Sequence, residues 1–172
     1  IYFRGYRNIW QYNKKCTSYD ENLLYKPKTG KCKFNNPEFS THLTFDKISR
    51  THNLKNNYNP DDDYILVLGD SIAMGWGVND NETFSFLMET NLKKKVYNLG
   101  VSSYGTTREI KKMKFSPLYN DSKKIIIQYH PNDLYENMEL DYNKVYSKKE
   151  YDDIYETKHH ELDLIKFILK NF

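Results

Sequence analysis

The chain has 172 residues, of which 38% are hydrophobic, enough for one domain with a buried core. Its 26 basic and 23 acidic residues leave a formal charge of +3, which is too small to indicate a nucleic-acid partner. No stretch approaches the roughly 18 consecutive apolar residues of a membrane span, so the sequence excludes a span in this chain and leaves open an anchor upstream of Ile1.

Residues 1–60 form the first predicted unit, an irregular N-terminal extension that contains β structure. Turn signals at KPKTGK and NNPE interrupt it, and no helical period is sustained. The stretch EFSTHLTFDKIS places apolar Phe39, Leu43 and Phe45 between polar residues, which predicts an extended segment or a hairpin. The composition of NLKNNYNPDDD is typical of a linker, and it leads into a second unit at residues 61–172.

Cys16 and Cys32 enclose a polar, turn-rich loop. A disulfide would stabilise a loop of this size by about 3 kcal/mol and would require an oxidising compartment; the alternative is two unpaired cytosolic thiols. Because the loop has few apolar residues to hold it, the sequence favours the disulfide and an extracytoplasmic location, whether periplasmic, secreted or membrane-anchored. Two cysteines without a matching Cys or His pair predict no metal site.

Strands alternate with helices in the second unit. The run YILVLG predicts a parallel strand buried on both faces. In NETFSFLMETNLKK an amphipathic helix is predicted, with Asn81 as its cap and an apolar face formed by Phe84, Leu87, Met88 and Leu92.

The later segments continue the alternation: strand KKVYNLG, helix TTREIKKMKF, strand KKIIIQY and the closing helix HHELDLIKFILKNF. Right-handed crossovers between such strands give a parallel sheet covered on both faces. The predicted fold class is therefore α/β, with a three-layer α/β/α sandwich.

Each predicted strand ends in residues that suggest chemistry: Gly69-Asp70-Ser71, then NLGVSSYGT, then HPNDL. Ligands bind at the carboxyl ends of parallel strands, so these segments are expected to converge. Ser71 follows a strand at a glycine-flanked turn and opens a helix, whose free N–H groups would stabilise an oxyanion. The spacing differs from the Gly-x-Ser-x-Gly elbow, and GDSIAMGWG lacks the Gly-Lys-Ser/Thr ending of a phosphate loop.

The motifs VLGDSIAMGWGV, YNLGVSSYGT and HPND resemble, in order, three blocks of the SGNH (GDSL) hydrolase family. The preceding segment CTSYDENLLYKPKTGKCKFNNPEFSTHLTF resembles the N-terminal extension of members associated with bacterial cell-surface polysaccharides. The resemblance implies an SGNH/flavodoxin-like fold and ester hydrolysis or acyl transfer on an acylated carbohydrate, with no cofactor.

The resemblance also implies a role for each motif residue. Ser71 is the nucleophile and one oxyanion donor, Ser103 supplies a backbone N–H where the family has a glycine, and Asn132 supplies a side-chain amide. Further residues are assigned to the substrate pocket (Gly100, Trp76, His130) or to loop ordering (Asp70, Asp133). For Trp76 the sequence favours packing in the core over stacking on a sugar.

The fourth block of the family, Asp-x-x-His, is absent. Glu156 and His159 imitate it, but too few residues separate them from Asn132 for another strand and helix, so His159 and His160 are expected to lie exposed at a helix start. Either a C-terminal part that carries the general base is missing, or the chain is a degenerate glycan-binding or scaffold module or a subunit of an assembly. The sequence does not indicate an oligomeric state.

Overall fold

The computed structural model describes residues 9–51, 63–139 and 142–153. The predicted linker up to residue 62, the division after residue 60, and the predicted C-terminal helix with His159 and His160 lie outside the described residues. Within the described ranges, no helix is both long enough and apolar enough to cross a membrane.

Two antiparallel hairpins follow a short 3₁₀ helix at Trp10–Tyr12. Their strands are β1 (Thr17–Asp20) with β2 (Leu24–Pro27), and β3 (Gly30–Asn36) with β4 (Phe39–Phe45). The second hairpin turns at Pro37 and Glu38, as the NNPE signal predicts. The alternation read in the sequence is present, because Leu43 and Phe45 are buried, whereas His42 before them is exposed and Thr44 between them is half-buried.

The predicted disulfide is confirmed. Cys16 and Cys32 are joined, their Cα atoms lie 5.3 Å apart, and both residues are buried. The loop they close is not purely polar, because Leu23 and Tyr25 inside it pack into the same core as the two cysteines. The disulfide therefore fastens a packed hairpin to β3.

Replacing both Cys16 and Cys32 by serine is expected to lower the free energy of unfolding by about 2–4 kcal/mol, since the cross-link restricts a 16-residue separation in the unfolded chain. Denaturant titration of the wild type with and without a reductant measures the effect. The double variant serves as the control because a reductant cannot change it further. Equal stability of the oxidised and reduced wild type would contradict the prediction.

The second half of the chain contains a parallel three-stranded sheet, as predicted. Its strands are β5 (Ile65–Gly69), β6 (Val96–Asn98) and β7 (Lys124–Gln128), in the order β6-β5-β7. Helices α1 (Ser71–Met74), α2 (Phe84–Leu92), α3 (Thr106–Phe115) and α4 (Asn132–Glu139) accompany the sheet.

Helices α2 and α3 pack on opposite sides of β5. Ile65 and Val67 share an apolar cluster with Phe84 and Met88 of α2. Leu66 and Leu68, which point the other way along the strand, share one with residues of α3, among them Ile110 and Met113. A three-layer sandwich requires this two-sided cover, and the complete sandwich stays a prediction.

Helix α2 differs from its prediction at both its start and its buried face. Asn81 is not the cap: Thr83 caps the helix, and its hydroxyl accepts the Phe86 N–H at 3.2 Å. Leu87 and Leu92 are exposed rather than buried.

Two polar side chains take the buried positions of α2 because each finds partners inside the protein. Ser85 accepts a hydrogen bond from the Asn98 amide at 2.9 Å. Glu89 accepts one from the Val96 N–H at 3.0 Å and also pairs with Lys95. The buried face of α2 is thus set by hydrogen bonds to β6 as well as by apolar spacing.

Candidate active site

The turn after β5 presents Ser71 at the start of α1. Gly69 has a φ of +148°, and a Cβ there would lie 2.6 Å from the Ala73 Cβ, so the turn requires glycine. The Asp70 carboxylate caps α1 by accepting the Ile72 N–H at 2.8 Å. These local features leave the Ser71 side chain half-buried at the helix start.

The loop after β6 packs directly against the Ser71 turn. A Cβ on Gly100 would lie 2.4 Å from the Met74 nitrogen, so glycine permits this approach. The Asn98 side chain ties the two segments together, since its amide donates to the Ala73 carbonyl at 2.8 Å and its oxygen accepts the Gly100 N–H at 3.0 Å. Gly100 therefore lies behind the turn and positions the loop that continues to Ser103.

Ser103 adopts a left-handed conformation with a φ of +57°, the conformation for which glycine is favoured. Two residues of the N-terminal part hold it there. The Gln11 amide donates to the Ser103 hydroxyl at 2.8 Å, and the Tyr25 hydroxyl donates to the Ser102 and Ser103 carbonyls at 2.6 and 3.2 Å. The sequence motifs gave no sign of Gln11 or Tyr25, which lie far from Ser103 along the chain.

Ser71 and Ser103 line one open pocket of about 560 Å³. Within the described part of the chain, neither backbone N–H has a hydrogen-bond partner. The remaining lining residues come from the N-terminal part and from the loops that follow β5 and β6: Ile9, Gln11, Ile72, Trp76, Val78 and Ser102. The pocket thus joins two of the predicted oxyanion donors with the predicted nucleophile.

Trp76 both lines this pocket and packs against the second hairpin. Its ring lies edge-on to Phe34 at 5.0 Å and to Phe39 at 5.8 Å between centroids. Because the side chain is half-buried, one part is fixed by the two phenylalanines and the rest is open to the pocket.

Asn132 and His130 contact each other and are not among the residues that line the Ser71 pocket. The Asn132 side-chain oxygen contacts Nδ1 of His130, and the Asn132 side chain also hydrogen-bonds the Glu136 carboxylate. Asp133 is buried beside them and accepts hydrogen bonds from the Thr106 hydroxyl and the His130 N–H. The assigned roles of Asn132 and His130 therefore stay predictions.

Four carboxyl groups lie close together near Asn132, and the sequence motifs did not predict their proximity: Asp70, Glu109, Asp133 and Glu136. Both Glu109 oxygens are buried without a hydrogen-bond partner within the described ranges. Burial raises the pKa of Glu109 to about 8, and the neighbouring carboxylates add to the shift. Glu109 is thus protonated at neutral pH.

The raised pKa of Glu109 predicts a loss of stability as the pH rises. Unfolded Glu109 ionises near 4.5 and folded Glu109 near 8, so its contribution is complete below pH 4.5 and falls away up to pH 8. Between pH 4.5 and pH 7 the loss is about 3 kcal/mol, since one unit corresponds to about 1.4 kcal/mol.

Glu109→Gln, which mimics the neutral acid, is expected to match the wild type at pH 4.5 and to exceed its unfolding free energy at pH 8. Urea titrations across this range measure the difference. Glu21→Gln, at an exposed position, is the matched control and should follow the wild type throughout. Parallel curves for Glu109→Gln and the wild type would show that Glu109 ionises normally.

The described residues place no imidazole in the Ser71 pocket. The histidines among them are His42, exposed on β4, and His130. No described side chain hydrogen-bonds the Ser71 hydroxyl, and no described cluster of His, Cys, Asp or Glu could hold a metal ion.

No protein-family model matches the chain, and no curated protein matches it. Among solved structures, it is similar to the crystal structure of AlinE4, an SGNH-hydrolase family esterase, with a TM-score of 0.39 and 26% identity over 46% of each chain. A point mutant of the same esterase gives a TM-score of 0.38 and 26% identity over 45% of each chain. The similar region thus spans less than half the length of these esterases.

Proposed function

We propose that the protein is an SGNH-type serine ester hydrolase or acyl (acetyl) transferase that acts on an acylated carbohydrate. The observation that carries the proposal is the shared pocket: the hydroxyl of Ser71 and the left-handed Ser103 lie on one cavity, with two backbone N–H groups that donate to no described group. This combination suits attack on a carbonyl and stabilisation of the resulting oxyanion.

In this proposal Ser71 Oγ attacks the acyl carbonyl carbon and gives up its proton to a base. The tetrahedral oxyanion accepts hydrogen bonds from the Ser71 and Ser103 N–H groups, and loss of one such donor typically costs about 3–4 kcal/mol of transition-state stabilisation. Asn132 becomes the third donor if its amide turns from Glu136 toward the pocket. Collapse of the oxyanion breaks the bond between the carbonyl carbon and the alcohol oxygen, and the alcohol leaves with the proton that the base holds. Water or a sugar hydroxyl then attacks the acyl-enzyme, gives its proton to the base, and frees Ser71, which takes that proton back.

The residues that line the pocket suit a substrate in which a small acyl group is attached to a large polar acceptor. Ile9, Ile72 and Val78 supply an apolar side for the acyl chain. The wide mouth admits an extended substrate, and the open part of Trp76 offers a surface on which a sugar ring can stack.

The proposal places the protein outside the cytoplasm, since the Cys16–Cys32 disulfide requires an oxidising compartment. It needs no cofactor and no nucleic-acid partner. Alkylation of the native protein followed by mass spectrometry tests the location: protected cysteines support it, and free thiols in the native protein remove its main support.

Hydrolysis of an aryl acetate by the full-length protein tests the activity. A burst of aryl alcohol, and an acetyl group recovered on the peptide that contains Ser71, are the expected results. Turnover without any acyl-enzyme on Ser71 would reject the mechanism.

A second function is favoured by one observation, the lack of an imidazole at Ser71 within the described residues. A glycan-binding or scaffold module with the same pocket needs no base. In that case the full-length wild type would bind an acetylated oligosaccharide without turnover, and Ser71→Ala would bind it equally well.

A further inference from the structure

A second pocket lies between the first hairpin, the turn after β4 and the C-terminal end of α3. Its volume is about 190 Å³, and it shares no lining residue with the Ser71 pocket. Leu23, Phe45 and Leu99, all buried residues of the core clusters, form its apolar walls. The ester chemistry proposed above makes no use of this cavity.

Lys112 of α3 carries its charge into this pocket. The side chain is half-buried, and Nζ donates one hydrogen bond, to the Leu99 carbonyl at 2.8 Å. An ammonium group has three donors, so a single carbonyl leaves two of them for another acceptor. The structure shows no ion pair for Lys112 with any described residue.

The acidic residues on the pocket wall already have partners. Asp46 accepts the Ile48 and Ser49 N–H groups, each at 2.7 Å. Asp20 accepts the Leu23 N–H at 3.0 Å and pairs with Lys26 at 3.1 Å. The pocket therefore combines apolar walls, occupied carboxylates and a cation whose donors are not all used.

We propose that this pocket binds a small organic carboxylate, whose carboxylate accepts hydrogen bonds from Lys112 Nζ and whose apolar body packs against Leu23, Phe45 and Leu99. The volume lies below the 300–1,000 Å³ of drug-sized sites, which indicates a ligand of about ten non-hydrogen atoms. Lys47 on the pocket lining adds attraction for an anion, whereas the charge of Lys26 is paired with Asp20.

Proton linkage supplies a signature for this site. Burial lowers the pKa of Lys112 to about 7, with Asp46 opposing the shift. The carboxylate binds the charged amine, so affinity is expected to fall as the pH rises above 7. The other charged groups on the lining are Asp20, Lys26 and Lys47.

Benzoate and its neutral isostere benzamide are suitable probes for the full-length protein, with binding followed by backbone amide shifts in NMR. Benzoate is expected to bind with a millimolar or lower dissociation constant and to shift the backbone amides at 46–49 and 112–116. Benzamide, or benzoate at pH 9, is expected to bind at least about tenfold more weakly, as loss of a charge-assisted hydrogen bond predicts.

Lys112→Met keeps the apolar stem and removes the charge, and it is expected to weaken benzoate binding at least about tenfold. Lys114→Met, on the exposed side of the same helix, is the matched control and should bind as the wild type does.

Equal binding of benzoate and benzamide, shifts confined to other residues, or no saturable binding would each overturn the proposal. These three outcomes are all measured on the wild type, so they test the proposal even if Lys112→Met fails to fold. Ser71→Ala should leave benzoate binding unchanged, whatever becomes of the esterase proposal.

Discussion

Ser71→Ala is expected to lower hydrolysis of an aryl acetate by the full-length protein at least about a thousandfold, because no acyl-enzyme can form without the hydroxyl. The substitution removes one oxygen that hydrogen-bonds no described group, so the unfolding free energy should stay near that of the wild type. Initial rates and thermal unfolding of the same preparations measure both effects.

Two other serines sharpen the assignment to Ser71. Ser40→Ala changes an exposed serine on β4 and should keep the wild-type rate. Ser102→Ala removes another hydroxyl that lines the pocket, one that donates to the Gln11 side-chain oxygen at 3.4 Å. It tests whether the loss of a different pocket serine also lowers the rate of hydrolysis. Activity that survives Ser71→Ala and disappears with Ser102→Ala would reassign the nucleophile.

The strand-end residues were predictable because local patterns determine them. A short apolar run followed by Gly69 identifies β5 and its sharp turn, and Ser71 then begins α1 as expected. The same logic predicted that the strands are parallel, since right-handed crossovers bring their carboxyl ends to one edge. Chain-local signals of this kind need no knowledge of distant contacts.

The walls of the site could not be predicted, because they depend on contacts between distant parts of the chain. Gln11 reaches Ser103 across 92 positions, and Tyr25 reaches Ser102 across 77. Gln11 belongs to no motif, and Tyr25 lies in the segment that resembles the family's N-terminal extension, where the resemblance assigns it no role. Composition indicated an irregular extension and no more, whereas in the structure residues of that segment hold the loop at Ser102 and Ser103.

The direction in which side chains point was the other feature that could not be predicted from the sequence. HPND follows β7 as predicted, but the orientation of Asn132 is set by contacts with His130 and Glu136. Glu109 is a second example: the sequence predicts a helix at this position, and only the packing of α3 near Asp70 and Asp133 buries its carboxyl group.

Arg50→Met is expected to lower the free energy of unfolding by about 3–5 kcal/mol, the largest stability effect predicted for a single substitution in this chain. Arg50 is 2% exposed and joins the turn after β4 to the loop that follows Ser71. Its guanidinium donates to the Met74, Gly75 and Val78 carbonyls, each at 2.8 Å, and pairs with Asp80 at 2.9 Å. Methionine fills similar space and leaves these acceptors without a donor.

The same contacts connect stability to the site, because the carbonyls that Arg50 holds belong to the loop carrying Trp76 and Val78 into the Ser71 pocket. Denaturant unfolding measures the loss. Lys47→Met, which removes an exposed cation from the same turn, should change the unfolding free energy by less than about 0.5 kcal/mol. If Arg50→Met were as stable as Lys47→Met, the buried guanidinium would not be what joins the N-terminal hairpins to the Ser71 loop.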